Sequence, residues 1–426
     1  MKQNTKLFRR DFTLVVIGQI ISLFGNAILR FALPLYLLRK TGSETLFGIV
    51  TACSFAPMVI LSMVGGVLAD RINKRNIMVV LDFCTAILIA IFYFSLGNVP
   101  TIPLFIVVLM LLYGISGTYQ PAVQASIPLL VTTDKLMTGN AVINQVNTLS
   151  GLLGPVLGGV MFGVWGIYPI LILSIVCFTV SAVMEIFIHI PHEKRPRKNS
   201  VLAVAKEDLK ESYQFVKTEK PILFSVVLLV SIFNLVLSAV MIVGTPILIT
   251  QVLKMSDTMY GFSQGALALG GLCGGFLTAI VSEKLKLQKS YLLLLTCSAS
   301  VAFMGISLML NVPALMSYWI ITVMSFTAMG ASTLFVVQIY TMVQTQTPPQ
   351  LVGKIMAALI SIAMCGQPVG QAIYGILFDV FASNTWIVLI GAAIAALLIS
   401  FYSKRIRRIR HISQHKRKLC GEFRIA

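Results

Sequence analysis

The 426-residue sequence is 57% hydrophobic and 11% charged, yet Lys and Arg outnumber Asp and Glu by 18. Soluble domains run at roughly 45–50% apolar and about 25% charged, so this composition excludes a string of globular domains, a disordered chain, a disulfide scaffold and a collagen-like fibre. A surplus of 18 positive charges on so small a polar surface does not describe a nucleic-acid binder; it describes an integral membrane protein.

Nearly uncharged apolar runs of about 18 or more residues are the signature of membrane-spanning helices. Six precede a polar stretch: Phe12–Leu38, Phe47–Leu68, Ile77–Leu96, Pro103–Leu130, Leu136–Gly163 and Ile167–Ile190. Six follow it: Pro221–Leu253, Gly261–Val281, Tyr291–Leu310, Ala314–Val343, Val352–Phe378 and Trp386–Tyr402. The predicted fold is an all-α integral membrane protein of twelve transmembrane helices in two pseudo-symmetric bundles. Residues 1–190 form the first six-helix half, 191–220 a linker, 221–402 the second half and 403–426 a basic tail. Features recur between the halves at a near-constant spacing. Pro34 and Pro246 are 212 residues apart, Gly48 and Gly261 are 213 apart, as are Pro155 and Pro368, and Val123-Gln124 and Val337-Gln338 are 214 apart. A spacing held through six spans indicates a duplicated unit.

The first span is too long for a cleaved leader and lacks a small-residue cleavage site, so none is expected. Basic residues accumulate on cytoplasmic loops, and with both termini inside, the inner segments hold 29 of the 33 Lys and Arg. Trp165, Trp319 and Trp386 then fall at or near the outer interface.

In span one, Gln19, Ser22, Asn26 and Arg30 recur at steps of three and four, which puts them on one helical face. Arg30 either attracts an anionic group or reaches outward to the interface. After span two the chain reads Gly66-Val67-Leu68-Ala69-Asp70-Arg71-Ile72-Asn73-Lys74-Arg75, a glycine suited to close helix approach followed by charges at a turn. Asp82, a short way into span three, is the proton-coupling candidate; a structural hydrogen-bonding role near Asp70 is the alternative. Span four adds Tyr113, Ser116, Gln120 and Gln124 at similar spacing. Span five carries Gly151, Gly154-Pro155 and Gly158-Gly159, where small residues permit close packing and the proline bends the helix. Glu185 in span six, like Asp379 in span eleven, lies near a helix end and is expected in solvent.

The linker has the pattern of an amphipathic helix lying on the inner membrane surface, with Leu202, Ala205, Leu209, Tyr213 and Val216 as its apolar stripe. Span seven repeats the polar face of span one with Ser231, Asn234 and Ser238, each 212 residues on, and span ten adds Thr327 and Gln338. A polar face shared by equivalent helices suits a wet substrate pathway; interhelical hydrogen bonds worth about 0.6 kcal/mol each are the other reading. Phe24, Phe31 and Phe335 offer aromatic surface to an amphipathic substrate. The tail, from Lys404 to Lys418, suits anionic lipid headgroups, with no nucleic acid expected. The four histidines sit at or beyond span ends, the cysteines form no C-x-x-C pair, and no nucleotide-binding loop is present. Neither a metal nor a cofactor is therefore expected.

The Gly66–Arg75 loop resembles the G-x-x-x-D-R-x-x-K/R-K/R signature of the major facilitator superfamily. Gly154-Pro155-Val156-Leu157-Gly158-Gly159 is similar to the G-P-x-x-G-G element of its drug–proton antiporters, and Pro121–Val131 looks like the end of span four in its twelve-helix bacterial exporters. That branch includes macrolide-efflux and siderophore-export permeases, and the resemblance covers the whole chain. One departure is the uncharged run Leu109–Gly114, where many relatives carry an arginine. The resemblance implies a gating latch at Gly66, Asp70, Arg71 and Arg75. It also implies a pathway lined by the first and fourth helices of each half, with substrate near the midplane. The implied activity is export of an amphipathic drug or macrolide-like molecule by proton antiport with alternating access, from a monomer in the bacterial plasma membrane. A siderophore, metabolite or lipid transporter of the same fold is the alternative.

Overall fold

The computed structural model describes residues 9–132, 135–190, 221–281, 290–347 and 352–422. Among them, every long element is a helix. The first six are α1 (Arg10–Thr41), α2 (Glu44–Arg71), α3 (Lys74–Ser95), α4 (Thr101–Leu130), α5 (Leu136–Trp165) and α6 (Ile167–Ile186). The next, α7, begins at Pro221 and ends at Val252, and it widens into π-helical turns at Asn234–Ser238 and Ile247–Val252. Then come α8 (Asp257–Val281), α9 (Ser290–Met309), α10 (Ala314–Gln346), α11 (Val352–Val380) and α12 (Trp386–Glu422). Ten helices among the described residues are long and apolar enough to cross a membrane. The two other expected spans are occupied by α8 and α11, of 25 and 29 residues. The linker helix expected in 191–220 lies outside the described residues, as do the side chains of Asp70, Arg71 and the tail beyond Lys404.

Local chemistry sets the first corner. Gly42 ends α1 in the left-handed conformation, φ 63°, and its N–H caps the Leu38 carbonyl. Ser43 follows at once, its side chain accepting from Leu46 N–H to start α2. A glycine stop and a serine start thus reverse the chain in two residues.

Two compact units emerge, Met1–Ala203 with Pro246–Gly265, and Val204–Thr245 with Ala266–Ala426. The sequence places a boundary in the linker; the structure also assigns the end of α7 and the first turns of α8 to the first unit.

Inside each unit the helices touch through glycine. In the first, a methyl at Gly65 of α2 would stand 2.7 Å from Thr118 Cα of α4, and one at Gly117 would stand 2.5 Å from the Met58 carbonyl oxygen. Gly66, expected to make this approach, has nothing within 4 Å among the described residues; its neighbour Gly65 does so instead. In the second unit, Gly270 and Gly274 of α8 make the same kind of contact with Phe326 and Gly330 of α10. The fifth helix of each half repeats the device. Gly154 and Gly158 of α5 face Ala27 and Phe31 of α1, and Gly366 and Gly370 of α11 face Ser231 and Leu235 of α7. The duplication is therefore visible as repeated contacts. Large apolar side chains such as Phe94, Phe276 and Leu398 point outward, as lipid-facing surfaces do.

Replacing Gly117 by valine forces side-chain atoms onto the α2 backbone, an overpacking cost of about 1–3 kcal/mol. A melting curve of the purified protein should fall for Gly117→Val and stay unchanged or rise for Gly66→Ala. Equal losses for both would refute the α2–α4 contact described here.

Candidate functional site

The first unit has two apolar clusters, one above the other along its helices. On α1 they are represented by Val16 and Ile28, on α3 by Met78 and Ala86, and by Phe178 of α6 and Ile188 just after it. Between them lies a polar layer. It consists of Gln19 and Ser22 from α1, Asp82 from α3, Tyr119 from α4, and Ser181 and Glu185 from α6.

The layer is buried and interconnected. Gln19 Nε2 donates to the Tyr119 hydroxyl at 2.6 Å, and that hydroxyl donates to Glu185 Oε1 at 2.7 Å. Ser181 Oγ reaches the Gly18 carbonyl at 3.2 Å and also stands beside the Asp82 carboxyl. Asp82 is near enough to interact electrostatically with both Tyr119 and Glu185. Relative exposures are 0% for Gln19, 3% for Asp82 and 0% for Glu185. The expectation that Glu185 is solvated is thus overturned. It faces inward from α6 and packs beside Gly18 of α1, whose missing side chain leaves room for it. Gln19 and Ser22 likewise turn into the bundle, away from any water-accessible face.

Further along the same face of α1, Asn26 and Arg30 are half-buried. The Arg30 guanidinium lies over the Tyr113 ring of α4, 3.7 Å from its centroid, and Nη2 points at Met58 Sδ of α2 at 3.5 Å. Arg30 therefore stays within the bundle and does not extend to the interface. The cation is held against an aromatic face, a contact worth about 0.5–2 kcal/mol depending on desolvation. Gln120 is half-buried and Gln124 exposed on the following turns of α4.

In the second unit the α7 residues are bonded to one another and to α11. Ser238 Oγ donates to Asn234 Oδ1 at 2.9 Å, and Asn234 Nδ2 donates to the Ala363 carbonyl at 3.1 Å. These two residues bracket the first π-helical turn, a feature concentrated at functional positions in helices. Gln338 is half-buried on α10. Phe31 and Phe335, expected to offer free aromatic surface, are spent on packing. Phe31 stacks on Tyr260 at 4.8 Å, and Phe335 lies 5.4 Å from Phe233.

One pair escaped the sequence reading. Arg39, in the last turn of α1, forms a 2.9 Å ion pair with Asp257, the first residue of α8. It also donates to the carbonyls of Thr250 and Met255 at 3.3 and 3.0 Å. The signal was faint: a base at a helix C-terminus and an acid at a helix N-terminus, each suited to its helix dipole. Nearby, Gly159 of α5 opens onto Gly261 of α8, where a methyl would stand 2.7 Å from the Gly261 Cα. The Gly154-Pro155-Gly158-Gly159 ridge therefore holds α1 with one stretch and α8 with the next. Among the described residues no group of three or more His, Cys, Asp or Glu could hold a metal ion, and the six described cysteines are free.

Comparison with known proteins places this arrangement. The sequence profile of the Major Facilitator Superfamily matches residues 15–370. Macrolide efflux protein A of Streptococcus pyogenes is 25% identical over 400 residues, covering 92% of this chain and 95% of that protein. Enterobactin exporter EntS of Escherichia coli O1:K1 / APEC is 26% identical over 368 residues, covering 85% and 84%. The crystal structure of the nucleoside transporter NupG superposes with a TM-score of 0.73 at 12% identity, over 93% of this chain and all of that one. That of a bacterial homologue of the human lysosomal transporter Spinster superposes with a TM-score of 0.70 at 13% identity, over 93% and 96%. At such identities the structures speak for the fold alone.

The Arg39–Asp257 pair is partly exposed, so its coupling should be about 0.2–1 kcal/mol. A double-mutant cycle with Arg39→Ala and Asp257→Ala, read by thermal unfolding, measures it. Arg39→Lys should lose most of the stabilisation, since an ammonium does not reproduce the fork to two carbonyls and a carboxylate. A lysine variant as stable as the parent would dismiss the fork.

Proposed function

The chain belongs to the Major Facilitator Superfamily, and on that premise we propose that this membrane transporter exports an amphipathic, macrolide-like small molecule in exchange for protons, by alternating access. The observation that carries the reading is similarity to an efflux protein along 92% of the chain. It is supported by the glycine–proline ridge of α5, which joins α1 to the start of α8. On this reading both termini face the cytoplasm, the basic tail rests on anionic lipid, and a single chain is the working unit.

The substrate is met by the polar and aromatic positions of α1 and α4, Asn26, Arg30, Tyr113, Gln120 and Gln124, and by Asn234, Ser238 and Gln338 on α7 and α10. Gln19 and Ser22 sit behind that face and serve it from the buried layer. Asp82 carries the coupling proton, in the absence of the intramembrane arginine that many relatives place in span four. Gly66, Asp70, Arg71 and Arg75 form the inner gating latch, in which an acid and bases at a turn exchange partners between states.

A second reading has its own support. Arg30 is a fixed positive charge held against Tyr113, and such a charge favours an anionic substrate over a cationic one. Similarity to an enterobactin exporter along 85% of the chain points the same way, towards export of a siderophore or another anionic metabolite.

Uptake of a radiolabelled macrolide into inverted vesicles should require an inward-acid pH gradient, and uptake that survives collapse of the gradient would reject antiport. Asn26→Leu and Asn234→Leu should slow that uptake while leaving the amount of protein in the membrane intact; unchanged kinetics would assign both residues to packing. Arg30→Ala separates the two substrate readings. It should weaken binding of an anionic substrate by about ten- to a hundredfold, the range of a lost hydrogen bond to a charged group, and spare a macrolide.

A further inference from the structure

The layer between the two apolar clusters of the first unit is short of hydrogen-bond donors. Three of its oxygen atoms have no partner among the described residues: Gln19 Oε1, Asp82 Oδ2 and Glu185 Oε2. All belong to side chains more than nine-tenths buried. Amide and carboxylate oxygens accept only, so all three need a donor, and the nearby Ser22 hydroxyl is directed at Tyr119 instead. Buried polar atoms are paired in the great majority of proteins, which makes such a deficit a mark of something the layer binds.

Charge leads to the same conclusion. Asp82 and Glu185 interact electrostatically across the layer. Among the described residues, no cation acts on either carboxyl. From α4 comes the Tyr119 phenol, from α1 the neutral Gln19 and Ser22, and α5 has no ionisable side chain between Leu136 and Trp165. On α3 itself, Lys74 and Arg75 lie about 10–12 Å from Asp82 along the axis. Just beyond the end of α6 that carries Glu185, His189 is exposed, and its backbone N–H donates to the Asp11 carboxylate at 3.1 Å. Two interacting carboxylates, both almost fully buried, do not both stay ionised.

We propose that Asp82 and Glu185 form one proton-binding site, a carboxyl pair that shares a single exchangeable proton and is tied through Tyr119 and Gln19 to the substrate-facing side of α1. When the site loads, one carboxylate takes up a proton and becomes a carboxylic acid; no other bond forms or breaks. Its new O–H then supplies the donor that the Gln19 carbonyl or the second carboxylate lacks. When it unloads, the proton leaves and the pair gains one negative charge. Tyr119 already donates to Glu185 and accepts from Gln19, so the change reaches α1 about two turns from Asn26 and three from Arg30. This assignment rests on the antiport reading for its use, and adds Glu185 as the partner without which Asp82 does not bind its proton in the same way.

The test reads the proton directly. Infrared difference spectra of the purified full-length protein in liposomes, taken across a pH series without substrate, report the C=O stretch of a neutral carboxylic acid. The wild type should show a titrating band equivalent to one proton per chain. Asp82→Asn combined with Glu185→Gln should abolish it. Either single variant should displace the midpoint of the remaining acid by about one pH unit or more, the mark of coupled sites. Glu185→Asp should keep the band, and Tyr119→Phe, which preserves volume, should displace the midpoint even if the carboxyl variants fail to fold. Midpoints that ignore the partner's substitution would overturn the pair, and a band removed at fixed pH by sodium or calcium would make it a metal-cation site instead. A coupled band with gradient-independent export would sink antiport and leave the site standing. Gradient-driven export with no such band would do the reverse.

Discussion

Lipid tails are as apolar as leucine side chains, so burying apolar surface does not press one membrane helix against another; close packing and polar bonds have to do it. The rest of this structure follows from that constraint. α2 meets α4, α8 meets α10, α5 meets α1 and α11 meets α7 at points where a glycine brings backbone nearly onto its neighbour. These contacts give each unit its rigidity without large side chains between the helices. They also account for the asymmetry of the apolar residues, which are plentiful on the outside and, inside the first unit, fall into separate clusters among the described residues.

The space between those clusters is where polar chemistry becomes affordable. A carboxyl group facing lipid would be costly, whereas one facing five other polar side chains can be kept, provided its charge is managed. Each partner in the layer comes from a helix with another task. α1 carries Gln19 and Ser22 on the face that continues to Arg30, α4 carries Tyr119 below Tyr113, and α6 supplies Ser181 and Glu185 from the periphery. A change of charge in the layer is thereby felt on two helices that also present the substrate-facing residues.

Much of this was legible in the sequence, for identifiable reasons. Long apolar runs and basic loops report bilayer crossing directly, and the spacing near 212 residues exposed the duplication. Gly154, Pro155, Gly158 and Gly159 could be recognised because a ridge of small residues has only one use in a membrane helix. What stayed hidden depends on rotation and on distance. Gly65 and Gly66 are adjacent letters on faces about 100° apart, and only packing shows which one meets α4. Glu185, near a helix end, has the address of a solvated residue; its burial comes from Gly18 on another helix. Arg39 and Asp257 are 218 residues apart, with nothing local to link them. Phe31 and Phe335 are aromatic on a plausible face, yet stacking partners the sequence could not reveal had already claimed them.

The connection between paired helices bears on the history of the chain. The spacing between equivalent residues is 212 at Pro34 and Pro246 but 213 at Gly48 and Gly261. Gly42 and Ser43 alone separate α1 from α2, whereas Leu253 to Ser256 separate α7 from α8. A residue added inside a regular helix would swing everything beyond it by about 100°, turning an inward face toward lipid. A loop takes up such an addition without rotating either helix, so the two halves drifted apart in sequence register while their contacts stayed in step.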